Sequence, residues 1–73
     1  MSIDLVAFGP NAEMLAFAEA VEVSTLSAAK NLAEQMRDRT KADKVFVYNY
    51  RNGFMWFSLS WDDKMNMGMV PVA

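Results

Sequence analysis

The stretch VFVYNYRNGFMWFSLSW, Val45 to Trp61, decides the fold because it has the pattern of two β-strands on either side of Asn52-Gly53. Asn-Gly between β-branched and aromatic runs is the strongest short-range signal for a hairpin with a two-residue type I′ turn. Such a turn fixes which residues face each other across the strands. The predicted pairs are Arg51 with Phe54, Tyr50 with Met55, Asn49 with Trp56, Tyr48 with Phe57, Val47 with Ser58 and Phe46 with Leu59.

This register gives the hairpin two faces, since cross-strand partners lie on the same side of a sheet. We expect one face to pack against a helix; it consists of Phe46, Tyr48, Tyr50, Met55, Phe57, Leu59 and Trp61. The opposite face is apolar near its middle and polar around it; it consists of Val45, Val47, Asn49, Arg51, Phe54, Trp56, Ser58 and Ser60.

The centre of the opposite face has the composition of a protein-interface hot spot, with Trp, Phe and Arg close together. We therefore predict a partner-binding site there, made of Asn49, Arg51, Phe54 and Trp56. The alternative is that the sheet curls, or meets another hairpin, and hides these side chains.

Before this hairpin, the chain predicts one amphipathic helix from about Leu26 to Lys41, with Ser24 or Thr25 as its N-cap. A helical wheel places five apolar residues within an arc of about 120°, which is the width of a core-facing stripe. The residues of this stripe are Leu26, Ala29, Leu32, Ala33 and Met36.

Lys30, Arg37 and Lys41 lie along the edge of the stripe and form a predicted basic ridge. Two interpretations are open. The ridge either consists of solvated residues whose aliphatic stems cover the edge of the core, or it is part of a partner-binding site.

A first hairpin is predicted at the N-terminal end, where Ile3–Phe8 resembles a short strand and Gly9-Pro10-Asn11-Ala12 a turn. Residues 13–23 suit a helix by composition, but a helical wheel leaves them no clean apolar arc. Strand alternation does collect their apolar side chains, so we choose a strand. The residues on its apolar face are Leu15, Phe17, Val21 and Val23.

At the other end, Met65, Met67 and Met69 alternate with smaller or polar residues like a last edge strand, which Pro71 would end. These methionines either fill the core or form an adaptable partner surface. The predicted fold class is α+β, ββαββ with a fifth strand, in which a strongly curved antiparallel sheet packs around one helix. Its 73 residues form a single domain, 1–73, with a small core.

Composition excludes several kinds of chemistry. The chain has no Cys and no His, so thiolate and imidazole sites are absent, and the hydroxyls near the helix start have no histidine to activate them. We therefore expect no enzyme, no cofactor and no metal. The N-terminal apolar run is short and lacks a basic region before it, which predicts a cytoplasmic protein without a membrane span.

The net charge of −2 is unevenly distributed: residues 1–29 hold four acids and no base, and residues 30–51 hold six bases and three acids. Nucleic-acid binding by counterion release needs a dense basic face, so we do not expect direct nucleic-acid binding. The nucleic-acid hypothesis that remains is stacking of single-stranded bases on Phe54 and Trp56 beside Arg51.

The run VEVSTLSAAKNLA, followed by VFVYNYRNGFMW, resembles the type I-F anti-CRISPR proteins of phages over residues 20–57. The shared pattern is a strand, a Ser/Thr-Leu-Ser-x-Ala-Lys helix start and a hairpin with Asn-Gly at its tip. In that family, basic residues reach the groove of the CRISPR surveillance complex where guide and target nucleic acid lie, and Lys30 matches one of these basic positions.

The resemblance implies a non-catalytic phage inhibitor in the host cytoplasm, with a host protein complex such as a CRISPR effector as its partner. It would occlude the nucleic-acid channel or an effector surface of that complex. The alternative is a small structural phage protein that forms a homodimer through the opposite face of the second hairpin, the face that carries Phe54 and Trp56.

Overall fold

The computed structural model describes residues 1–61 and the backbone of residues 65–67. Five strands form one antiparallel sheet in the order β2-β1-β3-β4-β5, and one helix packs on it. The elements are β1 Ser2–Phe8, β2 Met14–Glu22, α1 Leu26–Thr40, β3 Lys44–Asn49, β4 Met55–Leu59 and β5 Met65–Met67.

The helix begins and packs as the sequence predicts. Thr25 is the N-cap, and its hydroxyl accepts a hydrogen bond from the Ala28 N–H at 3.0 Å. The predicted stripe faces the sheet: Ala29, Ala33 and Met36 are buried, and its two leucines pack at the edge of the core. Because alanines line the middle of the stripe, the helix can approach the strands closely.

The first hairpin confirms the strand predicted for residues 13–23. Its turn is closed by a hydrogen bond from the Ala12 N–H to the Gly9 carbonyl, at 3.0 Å, and Ala12 has a φ of 62°. A bulge at Ala20, with a φ of 55°, then shifts the register of β2 against β1. Side chains change face at such a bulge, so the predicted single apolar face of β2 is wrong.

Two different sets of β2 residues therefore lie on the two sides of the sheet. Ala16, Ala18 and Val21 pack on the core, as does Val23 just after the strand, whereas Leu15 and Phe17 are exposed.

The second hairpin has a register that differs from the predicted one by one residue over Val45–Val47, and by two residues next to the loop, where Tyr48 pairs with Met55. Val45 pairs with Leu59 and Val47 with Phe57. The loop has four residues, Tyr50 to Gly53, rather than two. It is closed at both ends by main-chain hydrogen bonds, from the Asn49 N–H to the Phe54 carbonyl at 2.7 Å and from the Gly53 N–H to the Asn49 carbonyl at 2.8 Å.

Local hydrogen bonding explains why the type I′ turn does not form. That turn needs positive φ at both central residues, and here Gly53 has a φ of 74° whereas Asn52 has no positive φ. Both asparagines instead bond to the main chain two residues on: Asn49 Oδ1 accepts from the Arg51 N–H and Asn52 Oδ1 from the Phe54 N–H. Such Asx turns compete with a tight hairpin turn.

A register shift of one residue moves each side chain of β3 to the other face of the sheet, because successive side chains alternate between faces. Val45 and Val47 are fully buried under the helix, while Phe46 and Tyr48 lie on the other side of the sheet. The predicted helix-facing list is therefore wrong for β3 and right for Phe57 and Leu59 of β4. Val45 and Val47 pack in the core with the helix alanines, beside Phe57 of the next strand.

The α+β class and the antiparallel sheet with one helix are confirmed. The sheet stays open and its curvature is modest, so the helix covers one face only. β5 agrees with the predicted last strand over Met65–Met67; the side chains of that segment, Met69 and Pro71 lie outside the described residues. Within residues 1–61, no helix combines the length and the hydropathy that a membrane span requires.

Candidate functional site

The side of the sheet away from the helix, here called the open face, carries a cluster of aromatic side chains. Its residues are Val6, Phe8, Phe17, Phe46 and Tyr48. The rings of Phe8 and Phe46 meet edge to face with their centroids 5.6 Å apart, and those of Phe46 and Tyr48 are 6.4 Å apart. The cluster thus spans the central strands β1 and β3.

Val6 lies at the centre of the open face. It pairs with Phe17 of β2 on one side and with Phe46 of β3 on the other. These neighbours reduce its exposure to 9%, although no other described element covers this side of the sheet. Phe17 itself is 52% exposed, so the cluster has a protected centre and a protruding edge.

A shallow depression of about 380 Å³ continues the open face at one end. Its walls are the rings of Phe8 and Phe46 and the turn at Gly9 and Pro10, with the charged pair Asp43 and Lys44 beside them. An apolar floor with charged groups at the rim is the usual composition of a protein-binding patch.

The four predicted site residues of the second hairpin do not share one face. Asn49 ends β3, and its side chain holds the loop through the Arg51 N–H. Arg51 and Phe54 lie at the exposed tip, where Phe54 is 50% exposed. Trp56 occupies the bulge in β4 and is partly buried against the core, and its Nε1 has no hydrogen-bond partner among the described residues.

The predicted basic ridge is not a row of three exposed cations. Arg37 is only 5% exposed. Its Nη1 donates to the Ser60 carbonyl at 2.7 Å, its Nε donates to Asp38 Oδ1 at 3.0 Å, and its guanidinium lies 4.6 Å from the centroid of the Trp61 ring. Through these contacts Arg37 links the helix to Ser60 and Trp61, which follow β4.

The other two ridge residues remain accessible. Lys30 is half-buried and its Nζ lies 4.0 Å from Glu34 Oε2, one turn along the helix. Lys41 is exposed and ends the helix with a φ of 59°, while its N–H donates to the Arg37 carbonyl. A partner contact through this side of the helix would thus rest on Lys30 and Lys41.

A polar cluster joins the start of β1 to the end of β2. The ammonium group of Met1 donates to Glu22 Oε2 at 3.0 Å and the Ser2 hydroxyl donates to Glu22 Oε1 at 2.8 Å. These two hydrogen bonds, and the positive charge of the ammonium, lower the pKa of the Glu22 carboxyl below its ordinary value. Arg51 lies near enough to act in the same direction.

The described part of the chain contains no group of three or more acidic side chains placed to hold a metal ion. A scan against protein-family models found no match, and searches of curated proteins and of solved structures found none either.

Sequence reasoning missed the aromatic residues of the open face. The signal was present, because the valines and aromatics of β3 alternate strictly along VFVY. That alternation predicts two different faces but does not say which one meets the helix. The alanines of the helix stripe indicate which face of β3 meets the helix, since small helix residues favour the smaller strand side chains, here the valines.

Proposed function

We propose that this protein is a non-catalytic binding module that docks a partner protein on its open face. The observation that supports this function best is the aromatic cluster of Phe8, Phe46 and Tyr48, which continues at Phe17 and has no covering element among the described residues. Contiguous exposed apolar surface of this kind usually marks an interaction site.

The partner that we propose is a host protein complex, namely a bacterial CRISPR effector. The resemblance of residues 20–57 to the type I-F anti-CRISPR proteins supports this choice. Inhibition would then be steric: the domain occupies a surface of the complex and excludes nucleic acid or an effector protein, in the host cytoplasm.

The experiment is a binding and inhibition assay with a purified type I-F surveillance complex. If the proposal is right, the domain comigrates with the complex and lowers its affinity for target DNA, and Phe46→Ser weakens both effects. Lys30→Glu and Lys41→Glu test separately whether the accessible ridge residues contribute. Absence of comigration would remove the CRISPR effector as the partner.

Self-association through the open face is the second candidate, because the same aromatic cluster could be buried against a copy of itself. Light scattering at high micromolar concentration distinguishes the two. A dimer that Phe17→Ser dissociates would favour the structural protein, whereas a monomer would leave the open face for a different partner.

A further inference from the structure

Strand β2 lies at one edge of the sheet and pairs only with β1 among the described strands. The direction of its backbone groups follows from β1. The Met1 carbonyl accepts from the Val23 N–H at 2.9 Å, and the Ser2 carbonyl accepts from the Tyr50 N–H at 3.0 Å. The N–H and C=O groups of successive residues point alternately to the two sides of a strand. Those of the odd-numbered residues of β1 therefore point to β2.

The partners of these odd-numbered residues are Ala16, Ala18 and Val21, which face Ala7, Leu5 and Ile3 respectively. It follows that the N–H and C=O groups of Phe17 and Glu19, which alternate with Ala16 and Ala18, point away from β1. They form an edge to which another strand can add over residues 16–19, between the register shift at Leu15 and the bulge at Ala20.

The side chains along this edge are apolar and acidic. Leu15 is 42% exposed and Phe17 is 52% exposed. Glu19 is exposed and makes no hydrogen bond or ion pair within the described residues. Residues 1–29 contain four acidic and no basic side chains, so the charged side chains that β1 and β2 bring to this edge are all acidic.

A cleft of about 110 Å³ lies on the helix side of the same strand. Ala18 and Val21 of β2 form one wall, and Leu32 and Met36 of the helix form the other, with Arg39 at the rim. On the helix side of the sheet, side chains of an added strand would stand beside Ala16 and Ala18, and Ala18 lies at the mouth of this apolar cleft.

We propose that β2 is a strand-addition site for an extended segment of a partner protein in which lysine or arginine alternates with apolar residues. The apolar side chains would lie at the cleft, and the basic ones beside Phe17 and Glu19. Charge disfavours a second copy of this chain as the occupant, because each copy would bring its own Glu19 to the seam and β2 has no basic side chain. This site shares Phe17 with the open face and otherwise lies along the free edge of β2.

The test uses a nine-residue peptide of alternating lysine and valine, titrated into the isotope-labelled protein and followed by NMR. Two further peptides carry N-methyl groups on the lysine amides or on the valine amides. Only one of these two sets can point toward β2. We expect one methylated peptide to bind roughly tenfold or more weakly and the other to bind like the parent, since each lost hydrogen bond is worth about 1 kcal/mol.

Charge is tested on the protein. Glu19→Lys should weaken binding of the lysine peptide by about threefold to tenfold, whereas Glu34→Lys should leave it within about twofold. Glu34 is the matched control because it lies one turn before Arg37, on the helix flank away from β2. Phe46→Ser, which alters the open face, should leave peptide binding unchanged, so failure of the open-face proposal and failure of this one can be told apart.

Four results would overturn the proposal. They are no binding of the lysine peptide, equal affinity of the two methylated peptides, equal affinity for a glutamate-valine peptide, and a homodimer whose formation protects the Phe17 and Glu19 amides from hydrogen exchange.

Discussion

The ring of Phe8 meets the ring of Phe46 edge to face across strands β1 and β3, with their centroids 5.6 Å apart. Such pairs contribute about 0.5–1.5 kcal/mol beyond the burial of their area. A double-mutant cycle with Phe8→Ala and Phe46→Ala should therefore give a coupling of this size in the free energy of unfolding, measured with urea. The losses of unfolding free energy caused by Phe8→Ala and Phe54→Ala should be additive. Additive losses for Phe8→Ala and Phe46→Ala would contradict the ring contact between these two residues.

Arg37 should matter to stability more than the other cations of the helix. Arg37→Ala removes the hydrogen bond to the Ser60 carbonyl, the pair with Asp38 and the contact with Trp61, so we expect a loss of about 2–4 kcal/mol. Lys30→Ala removes an accessible pair and should cost less than about 1 kcal/mol. Urea unfolding of both variants measures the difference, and equal losses would show that Arg37 is not a fastening residue.

Replacing Ala12 with glycine should stabilise the protein. Its φ of 62° is strained for a residue with a Cβ, so Ala12→Gly should raise the free energy of unfolding by about 0.5–1 kcal/mol. Ala28→Gly is the matched control with ordinary helical backbone, and it should lower the free energy of unfolding by about 1 kcal/mol. If both substitutions changed the free energy of unfolding in the same direction, the backbone of Ala12 would not be strained.

Glu22 should make stability fall in acid. Its pKa is lowered in the folded state, so the unfolded chain takes up the proton first as the pH falls below the ordinary value of 4.5. The contribution of Glu22 is therefore fully present above that pH and is lost as the pH falls through the lower folded pKa. Glu22→Gln should flatten this part of the stability profile in chemical unfolding from pH 6 to pH 3, and an unchanged profile would contradict the lowered pKa of Glu22.

The elements of the fold were predictable because each rests on a local pattern. Thr25 is a strong cap, the helix stripe has the period of a helix, and residues 13–23 alternate like a strand. The register was not predictable from Asn52-Gly53, because the turn type depends on the Asx bond that Asn49 makes and on the room that the helix leaves above β3.

The candidate site was predictable only in part for the same reason. A one-residue register shift moved the aromatics of β3 to the open face, and the bulge at Ala20 moved Phe17 to the same side. The role of Arg37 could not be derived from a helical wheel, because its partners Ser60 and Trp61 lie beyond β4 and are brought to it by the fold.

The central claim, that the open face is the interface, is tested most directly by two phenylalanines that are equally exposed. Phe17, on the open face, and Phe54, at the hairpin tip, are 52% and 50% exposed. The measurement is the affinity of Phe17→Ser and of Phe54→Ser for the surveillance complex, or for a second copy if the protein is a dimer. We expect Phe17→Ser to bind roughly tenfold or more weakly than Phe54→Ser, since loss of a buried interface anchor costs 2 kcal/mol or more. Equal affinities, or a loss confined to Phe54→Ser, would contradict the account.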